Sequence, residues 1–255
     1  MIVAEELKVR GEIEKIVLKF PGYGYRRVLK ELNKSGFRIN HKRVLKIMNK
    51  YNLLCKTKKR KRWVKTTDSD HNLRVYPNLV KGIFVTRINQ VWVADITYVG
   101  LPKGFCYLAV ILDAFSRKVI GWSLRLDMSE HLALEALYMA LRERKFTAGL
   151  IHHSDRGSQY ASNRYTELLN NSGIEISMSA KGNPYDNSKA ESFMSTIKSE
   201  EVYLNDYENF IEAKQRISSF IKDVYNEKRM HSSLDYLSPE EFEESLISSN
   251  ISVLN

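Results

Sequence analysis

The chain has little cysteine: two in 255 residues, Cys55 and Cys106. They stand far apart with no C-x-x-C pair, which argues against a disulfide framework and against a cysteine zinc site. No run approaches the roughly 18 apolar residues of a membrane span, and the N-terminus, MIVAEELKVR, lacks the apolar segment and cleavage site of a signal peptide. A membrane partner is therefore not expected, and a cytoplasmic location is. Acidic residues are scarce in one place only. Residues 1–70 hold 20 Lys+Arg against 7 Asp+Glu, whereas 71–255 hold 20 against 23, so the net charge of +10 is all N-terminal. Such segregation favours a polyanion-binding module, for nucleic acid above an acidic membrane surface, joined to a near-neutral second domain. With 43% hydrophobic and 11% aromatic residues, the chain can bury one good core plus a smaller module.

The first 66 residues read as a small all-α helix-turn-helix region with a basic tail. Residues 5–20 place Leu7, Ile13, Ile16, Val17 and Phe20 at roughly helical spacing, and Pro21-Gly22 ends the segment. A second helix from about Tyr25 to Ser35 turns Val28, Leu29 and Leu32 inward and stops at Gly36. Asn40 then caps a third, with Val44, Leu45, Met48 and Tyr51 as its apolar stripe. In helix-turn-helix geometry the start of that third helix enters the major groove, offering His41, Lys42, Arg43 and Lys46, while Arg26 and Arg27 hold phosphates. From Lys56 to Lys65 seven of ten residues are basic, Lys58, Lys59, Arg60, Lys61 and Arg62 among them. This run reads as a tether tracking the DNA backbone. A polar, acidic linker covers 67–85, and the second domain spans 86–248.

That domain opens with alternation. In VWVADITYV, Val91, Val93, Asp95, Thr97 and Val99 share one face of a strand covered on both sides. FCYLAVILDAF and RKVIGWSL continue an antiparallel meander. Ser129 caps a helix, GLIHHSD gives a fourth strand ending at Asp155, Asn163 to Asn171 is helical, and IEISMS is a fifth strand. The order β-β-β-α-β-α-β-α predicts an α/β fold, a mixed five-stranded sheet with flanking helices. Glu208 to Lys228 closes the core as an amphipathic helix with Ile211, Ile217, Phe220, Ile221 and Val224 inward.

A carboxylate in mid-strand, such as Asp95, needs a cation or strong hydrogen bonds. Asp155 follows it by 60 positions and Glu191 comes 36 later, in the first turn of a helix entered through a Gly/Asn/Pro loop. In the expected sheet Asp155 lies beside Asp95 on the neighbouring strand, and Glu191 arrives from a helix packed over it. Three carboxylates brought together favour oxygen-preferring divalent cations, Mg²⁺ above all with Mn²⁺ as an alternative, and phosphoryl transfer on DNA. Lys198, seven residues after Glu191, is placed to hold the substrate phosphate or an adjacent base. Each acid also has a structural reading. Ser188 and Glu191 fit a capping box, Asp155 can cap the turn at Arg156-Gly157, and Asp113 stands at a strand end without any catalytic signal. Asp186 competes for the third place and ranks lower. His152 and His153 invite a zinc reading but lack a third ligand.

The motifs PGYGYRRV at 21–28, NQVWVADITYV at 89–99, HSDRGSQY at 153–160, GNPYDNSKAESFMSTIKSE at 182–200 and YNEKRMHSSLDYLSPEEF at 225–242 together resemble insertion-sequence transposases of the insertion-sequence three family. The resemblance covers nearly the whole chain. It implies a ribonuclease-H-like, retroviral-integrase-like core, Mg²⁺, and an acidic triad at Asp95, Asp155 and Glu191 with the helix lysine at Lys198. It also implies strand cleavage at element ends and 3′-hydroxyl transfer into target DNA. In many members the active enzyme is a frameshift fusion with an upstream frame supplying another helix-turn-helix and a coiled coil. That frame's protein is thus an expected partner, beside DNA and a homo-oligomer on DNA acting at the bacterial nucleoid. Met230 and Asp235 stand where proline and glycine are more usual in the family, with little consequence expected. The competing readings are a ribonuclease-H-like nuclease that cuts without joining, and a non-catalytic DNA-binding regulator. A last expectation is that the loop before Glu191 orders, and the triad closes, when DNA and metal bind.

Overall fold

The computed structural model describes residues 2–55, 71–146, 148–180 and 187–252. Three helices come first: α1 (Ile2–Lys19), α2 (Tyr25–Lys34) and α3 (His41–Lys50). Their apolar faces meet in one cluster of Val9, Ile13, Ile16, Phe20, Val28, Leu32, Val44, Ile47 and Met48. Leu7, expected inside, is 52% exposed, and Val9 takes its place. Leu7 and Ile13 are six residues apart, about 120° off one helical face, whereas Val9 is one turn from Ile13. As expected, Asn40 Oδ1 accepts the Lys42 N–H at 2.8 Å and caps α3. The basic run Lys56 to Lys65 lies outside the described residues.

The sheet comprises β1 (Val91–Gly100), β2 (Phe105–Asp113), β3 (Val119–Arg125), β4 (Ile151–Ser154) and β5 (Glu175–Met178), in the order β3-β2-β1-β4-β5. The first three form the predicted antiparallel meander, while β4 joins β1 in parallel and β5 joins β4 in parallel. This is the mixed sheet with helices on both faces that the sequence order predicts, in the ribonuclease-H-like arrangement that the resemblance implies. Between strands stand α4 (Glu130–Glu143), the single turn α5 (Ser158–Ala161) and α6 (Asn163–Asn171). Ser129 begins α4 without a side-chain cap, because its hydroxyl is turned to Asp127 Oδ1 instead.

Strand alternation divides the core as expected. Trp92, Ala94 and Ile96 face α4 and the Tyr160–Tyr165 region, and Val91, Val93 and Val99 face the opposite layer. That layer is built by α7 (Ser188–Ile197), which runs on as a π-helical segment Lys198–Val202, and by α8 (Phe210–Ser219), which runs on as Phe220–Asn226, also π-helical. Within α8 the sequence expectation fails at Ile211, which is 68% exposed, while Ala213 and Tyr225 are buried. Ile211 is six residues from Ile217, the same angular mismatch as at Leu7.

The chain then turns back to its beginning. Met230 is completely buried in the N-terminal helical cluster, and its N–H donates to the Tyr23 hydroxyl at 2.8 Å. A proline at 230 would have no N–H to give. Asp235 sits in left-handed backbone with φ 52°, a conformation that glycine adopts freely and aspartate tolerates. Met230 and Asp235, expected to matter little, therefore occupy a junction between the two ends of the chain. The last helix, α9 (Pro239–Ser252), docks through Glu243, which pairs with Arg144 at 2.6 Å.

Candidate active site

Two of the three acids, Asp95 and Asp155, are carried by chain segments that run side by side at β1 and β4. The parallel register pairs Val91 with Ile151, Trp92 with His152 and Val93 with His153. Carried two residues further toward the C-terminal ends, it sets Asp95 level with Asp155. Both share the parity of Val91, Val93 and Ile151, so they belong to the face covered by α7. Such ends of parallel strands are where open sheets place ligands.

The electrostatics match that placement. The Asp95 carboxyl is pushed up to about 7, first by burial, then by Asp155 and more weakly by Glu191. The Ile96 N–H, which donates to Asp95 Oδ1 at 2.8 Å, and the Lys198 ammonium pull the other way. Burial also raises the Glu191 carboxyl. Its side chain is exposed at the first turn of α7, so the field of its neighbours falls mainly on Asp95. Among the described residues no three of His, Cys, Asp and Glu stand close enough together to hold a metal ion.

The structural alternatives divide. Asn187, not Ser188, is the N-cap of α7, and no side-chain cap bond forms, so the Ser188–Glu191 capping box is absent. Asp155 does hold its turn, with Oδ1 accepting the Gly157 N–H at 2.9 Å. Asp113 is structural: it is fully buried and accepts backbone N–H groups of Asn89, Phe115 and Ser116 at 2.6, 2.8 and 3.0 Å. His152 and His153 point to opposite faces, bonded to the Tyr165 hydroxyl at 2.9 Å and the Ser177 hydroxyl at 2.8 Å. Burial holds the His152 imidazole down to about 3, hence neutral. Asp186 and the loop at 181–186 lie outside the described residues, as does the expectation that this loop orders on binding.

Lys198 begins the π-helical segment, with its ammonium 4.5 Å from the centre of the Tyr98 ring. Burial lowers its pKa and Asp95 opposes that, which places the ammonium in the field of the acids. Among the expected DNA contacts, Arg26, His41, Lys42 and Lys46 are exposed. Arg43 pairs with Glu5 at 3.3 Å. Arg27 is half-buried and donates from Nε to the Met230 carbonyl at 2.9 Å. Lys58, Lys59, Arg60, Lys61 and Arg62 lie outside the described residues.

Three residues escaped the sequence reading. Asn187 is buried and donates from Nδ2 to the Ala94 carbonyl at 3.0 Å, tying the start of α7 to the residue before Asp95. Its place just before a helix start was the available signal. At Gly157 an added Cβ would lie 3.0 Å from Asp155 Oδ1 and 3.1 Å from Gln159 Oε1. Tyr160 is buried with a hydroxyl that has no partner among the described residues, and burial, Tyr165, Asp95 and Asp155 all raise its pKa, keeping it a neutral phenol.

With this geometry in hand, the chain can be compared with known proteins. The integrase core domain family matches residues 85–184, a second integrase core domain family matches 172–239, and an HTH-like domain matches 4–61. The transposase for insertion sequence element IS904 of Lactococcus lactis is 42% identical over 222 residues, covering 87% of each chain. The chain belongs to the insertion-sequence transposases. An IS600 protein of Shigella sonnei, described as an uncharacterized 31 kDa protein, is 43% identical over 87% of this chain and 81% of its own. Transposase InsF for IS3A of Escherichia coli is 37% identical over 87% of this chain and 76% of its own. Among solved structures, the catalytic core domain of BIV integrase aligns with 64% of this chain and 99% of that one, at 19% identity and a TM-score of 0.47. Integrase-like enzymes with acidic triads typically use divalent metals. Among the described residues no helix is long and apolar enough to cross a membrane.

Proposed function

We propose that the chain is a DNA transposase that cuts at the ends of its insertion sequence and joins the 3′-hydroxyl to target DNA, with Asp95, Asp155 and Glu191 as catalytic carboxylates. The observation that carries this reading is the acid pair on adjacent parallel strands, where burial first and Asp155 second push Asp95 up to about 7, in a member of a transposase family. An all-oxygen donor set whose acids resist ionising together fits a hard divalent cation. Asp95, Asp155 and Glu191 would hold Mg²⁺, or Mn²⁺ in its place. When bound, such ions activate the attacking oxygen and stabilise the leaving one.

The chain's own residues supply the geometry. The sheet fixes Asp95 and Asp155, α7 carries Glu191, and Lys198 offers its ammonium to a phosphate oxygen. In cleavage, water oxygen bonds to phosphorus as the bond to the 3′ oxygen breaks; water's proton passes to solvent, and the departing 3′ oxygen takes one up to become a 3′-hydroxyl. In transfer, that 3′-hydroxyl oxygen bonds to a target phosphorus while the target's own 3′ oxygen leaves. One ester replaces another, so no outside energy source is needed. Residues 1–66 would read DNA through Arg26, His41, Lys42 and Lys46, with 56–65 as a tether, 67–85 as the linker and 86–248 as the catalytic unit. Two ends must be held at once, so we expect at least a dimer on DNA at the nucleoid, with the upstream-frame protein or a fusion to it as partner.

The experiment is incubation with labelled element-end DNA and Mg²⁺, followed by separation of cut and joined products. Joined products that vanish in Asp95→Asn, Asp155→Asn and Glu191→Gln support the reading. Cutting without joining would indicate a nuclease, binding without cutting a regulator, and activity surviving in the variants would overturn the triad.

A further inference from the structure

Two motifs that the acid site does not use converge with the far end of the motif that bears Glu191. The turn at Gly22 lies against the side chain of Glu200, so closely that an added Cβ would overlap its Cγ, Cδ and Oε1. Only glycine lets a backbone approach a carboxylate in that way. The same carboxylate receives both arms of Arg229, Nε to Oε2 at 2.7 Å and Nη2 to Oε1 at 2.6 Å. Both side chains are buried, at 5% and 10% exposure. Beside this fork Tyr23 takes the Met230 N–H and gives its hydroxyl proton to the Lys228 carbonyl at 3.4 Å, and Arg27 of α2 bonds the Met230 carbonyl. PGYGYRRV, the end of the Glu191 motif and the segment around 228–236 thus form one junction.

Two features distinguish this junction from simple packing. Glu200 sits in the π-helical segment that starts at Lys198, and such irregular turns are retained mostly at functional sites. The charges are also interdependent. Arg27, which α2 carries beside Arg26, is half-buried at the same junction, bonded to the Met230 carbonyl, and feels Arg229 as a repulsion and Glu200 as an attraction. A buried ion pair adds little net stability over an apolar pair, but its bidentate fork fixes one relative placement. From the N-terminal helices to the Lys198 ammonium, the covalent and hydrogen-bonded path is Tyr23 to Met230, one residue to Arg229, its fork to Glu200, then two residues to Lys198.

We propose that Glu200 and Arg229 are positioning residues through which engagement of α2 and α3 with DNA sets the placement of Lys198 and of the helix bearing Glu191. Cutting is then fast only when the N-terminal helices are seated on the element's end. The proposal rests on the transposase reading given above.

The test uses the full chain with Mg²⁺ and two labelled duplexes of equal length, one bearing the terminal sequence of the element and one scrambled. End binding is read by gel shift, the single-turnover cutting rate by product at saturating protein, and folding by the melting temperature. We expect the intact chain to cut the end sequence about tenfold faster than the scrambled one, a usual size for coupling between sites. Glu200→Gln, which keeps shape and loses charge, and Gly22→Ala, which displaces the carboxylate without removing it, keep their affinity for the end within about twofold but lose the rate advantage. If Glu200→Gln does not fold, Glu200→Asp carries the same measurement. Equal loss of both rates, with the advantage preserved, would show a merely structural junction and overturn the proposal, as would wild-type rates in the variants. An intact chain that binds the end but cuts neither duplex would sink the transposase reading and this proposal with it. A wild-type advantage that survives in every variant would sink the proposal alone.

Discussion

Replacing Asp95 by asparagine should remove activity and, in metal-free protein, raise stability. The Asp95 carboxyl moves from 3.8 to about 7 on folding. Each unit corresponds to about 1.4 kcal/mol, which sets a ceiling of about 4 kcal/mol of destabilisation above pH 7. Asp95 keeps partial access to solvent, so about 2 kcal/mol is the working figure. The sign follows from the raised value. The folded chain holds the proton more tightly than the unfolded one, so this stability is full below about pH 4 and is lost as pH rises through about 7. Asparagine keeps an oxygen for the Ile96 N–H and carries no charge. With a chelator at pH 8 the variant should therefore melt about 4–8 °C above the parent, and the gap should close near pH 4. Adding Mg²⁺ should stabilise the parent and leave the variant nearly unmoved. Calorimetry across pH, with and without Mg²⁺, reads all of this. A variant that melts below the parent at pH 8, or a gap that does not change with pH, would refute the idea that Asp95 is a crowded acid awaiting a cation.

Gly157→Ala puts a methyl 3.0 Å from Asp155 Oδ1 and should cut activity at least about tenfold, since ångström-scale misplacement at a reacting site is costly. Its melting temperature should change little, and undiminished cutting would contradict the tight placement of Asp155. Gly121→Ala drives a Cβ into the Ala136 carbonyl and to 3.0 Å from Ala140 Cβ, so strand β3 must part from α4. We expect a loss of roughly 3 kcal/mol in urea unfolding, at the upper end for overpacking, and a loss under 1 kcal/mol would show that the two elements can slide. Deleting Lys56 to Lys65 should flatten the dependence of DNA affinity on salt, because fewer counterions are released; an unchanged slope would deny this run a phosphate contact.

Periodicity and alternation carried most of the architecture. The ten-residue alternation around Asp95 set the parity of β1, and the run into Asp155 placed a second acid at a strand end, so their pairing needed only the parallel register. Two kinds of feature stayed hidden. Leu7 and Ile211 count as inward on only roughly helical spacing, although each stands six residues from the face it was given. The junction of Gly22, Glu200 and Arg229 could not be read at all, because no local pattern signals a contact between residues some 200 apart. The π-helical segments from Lys198 and Phe220 are likewise invisible to a 3.6-residue period, and they account for the shift of buried positions toward Tyr225. At the acids themselves the residue types were legible, while the tie from Asn187 to Ala94 came only with the packing.

The burial of Met230 among α1, α2 and α3 has a consequence in time. At about 5–20 residues per second, roughly 200 residues must still be made after the third helix leaves the ribosome, a delay of about 10–40 s. Through that interval the N-terminal helices lack the side chain that completes their interior and the N–H that Tyr23 accepts. The N-terminal module is therefore finished by a segment made long after its own helices, and a product ending before Met230 would lack that part of its interior.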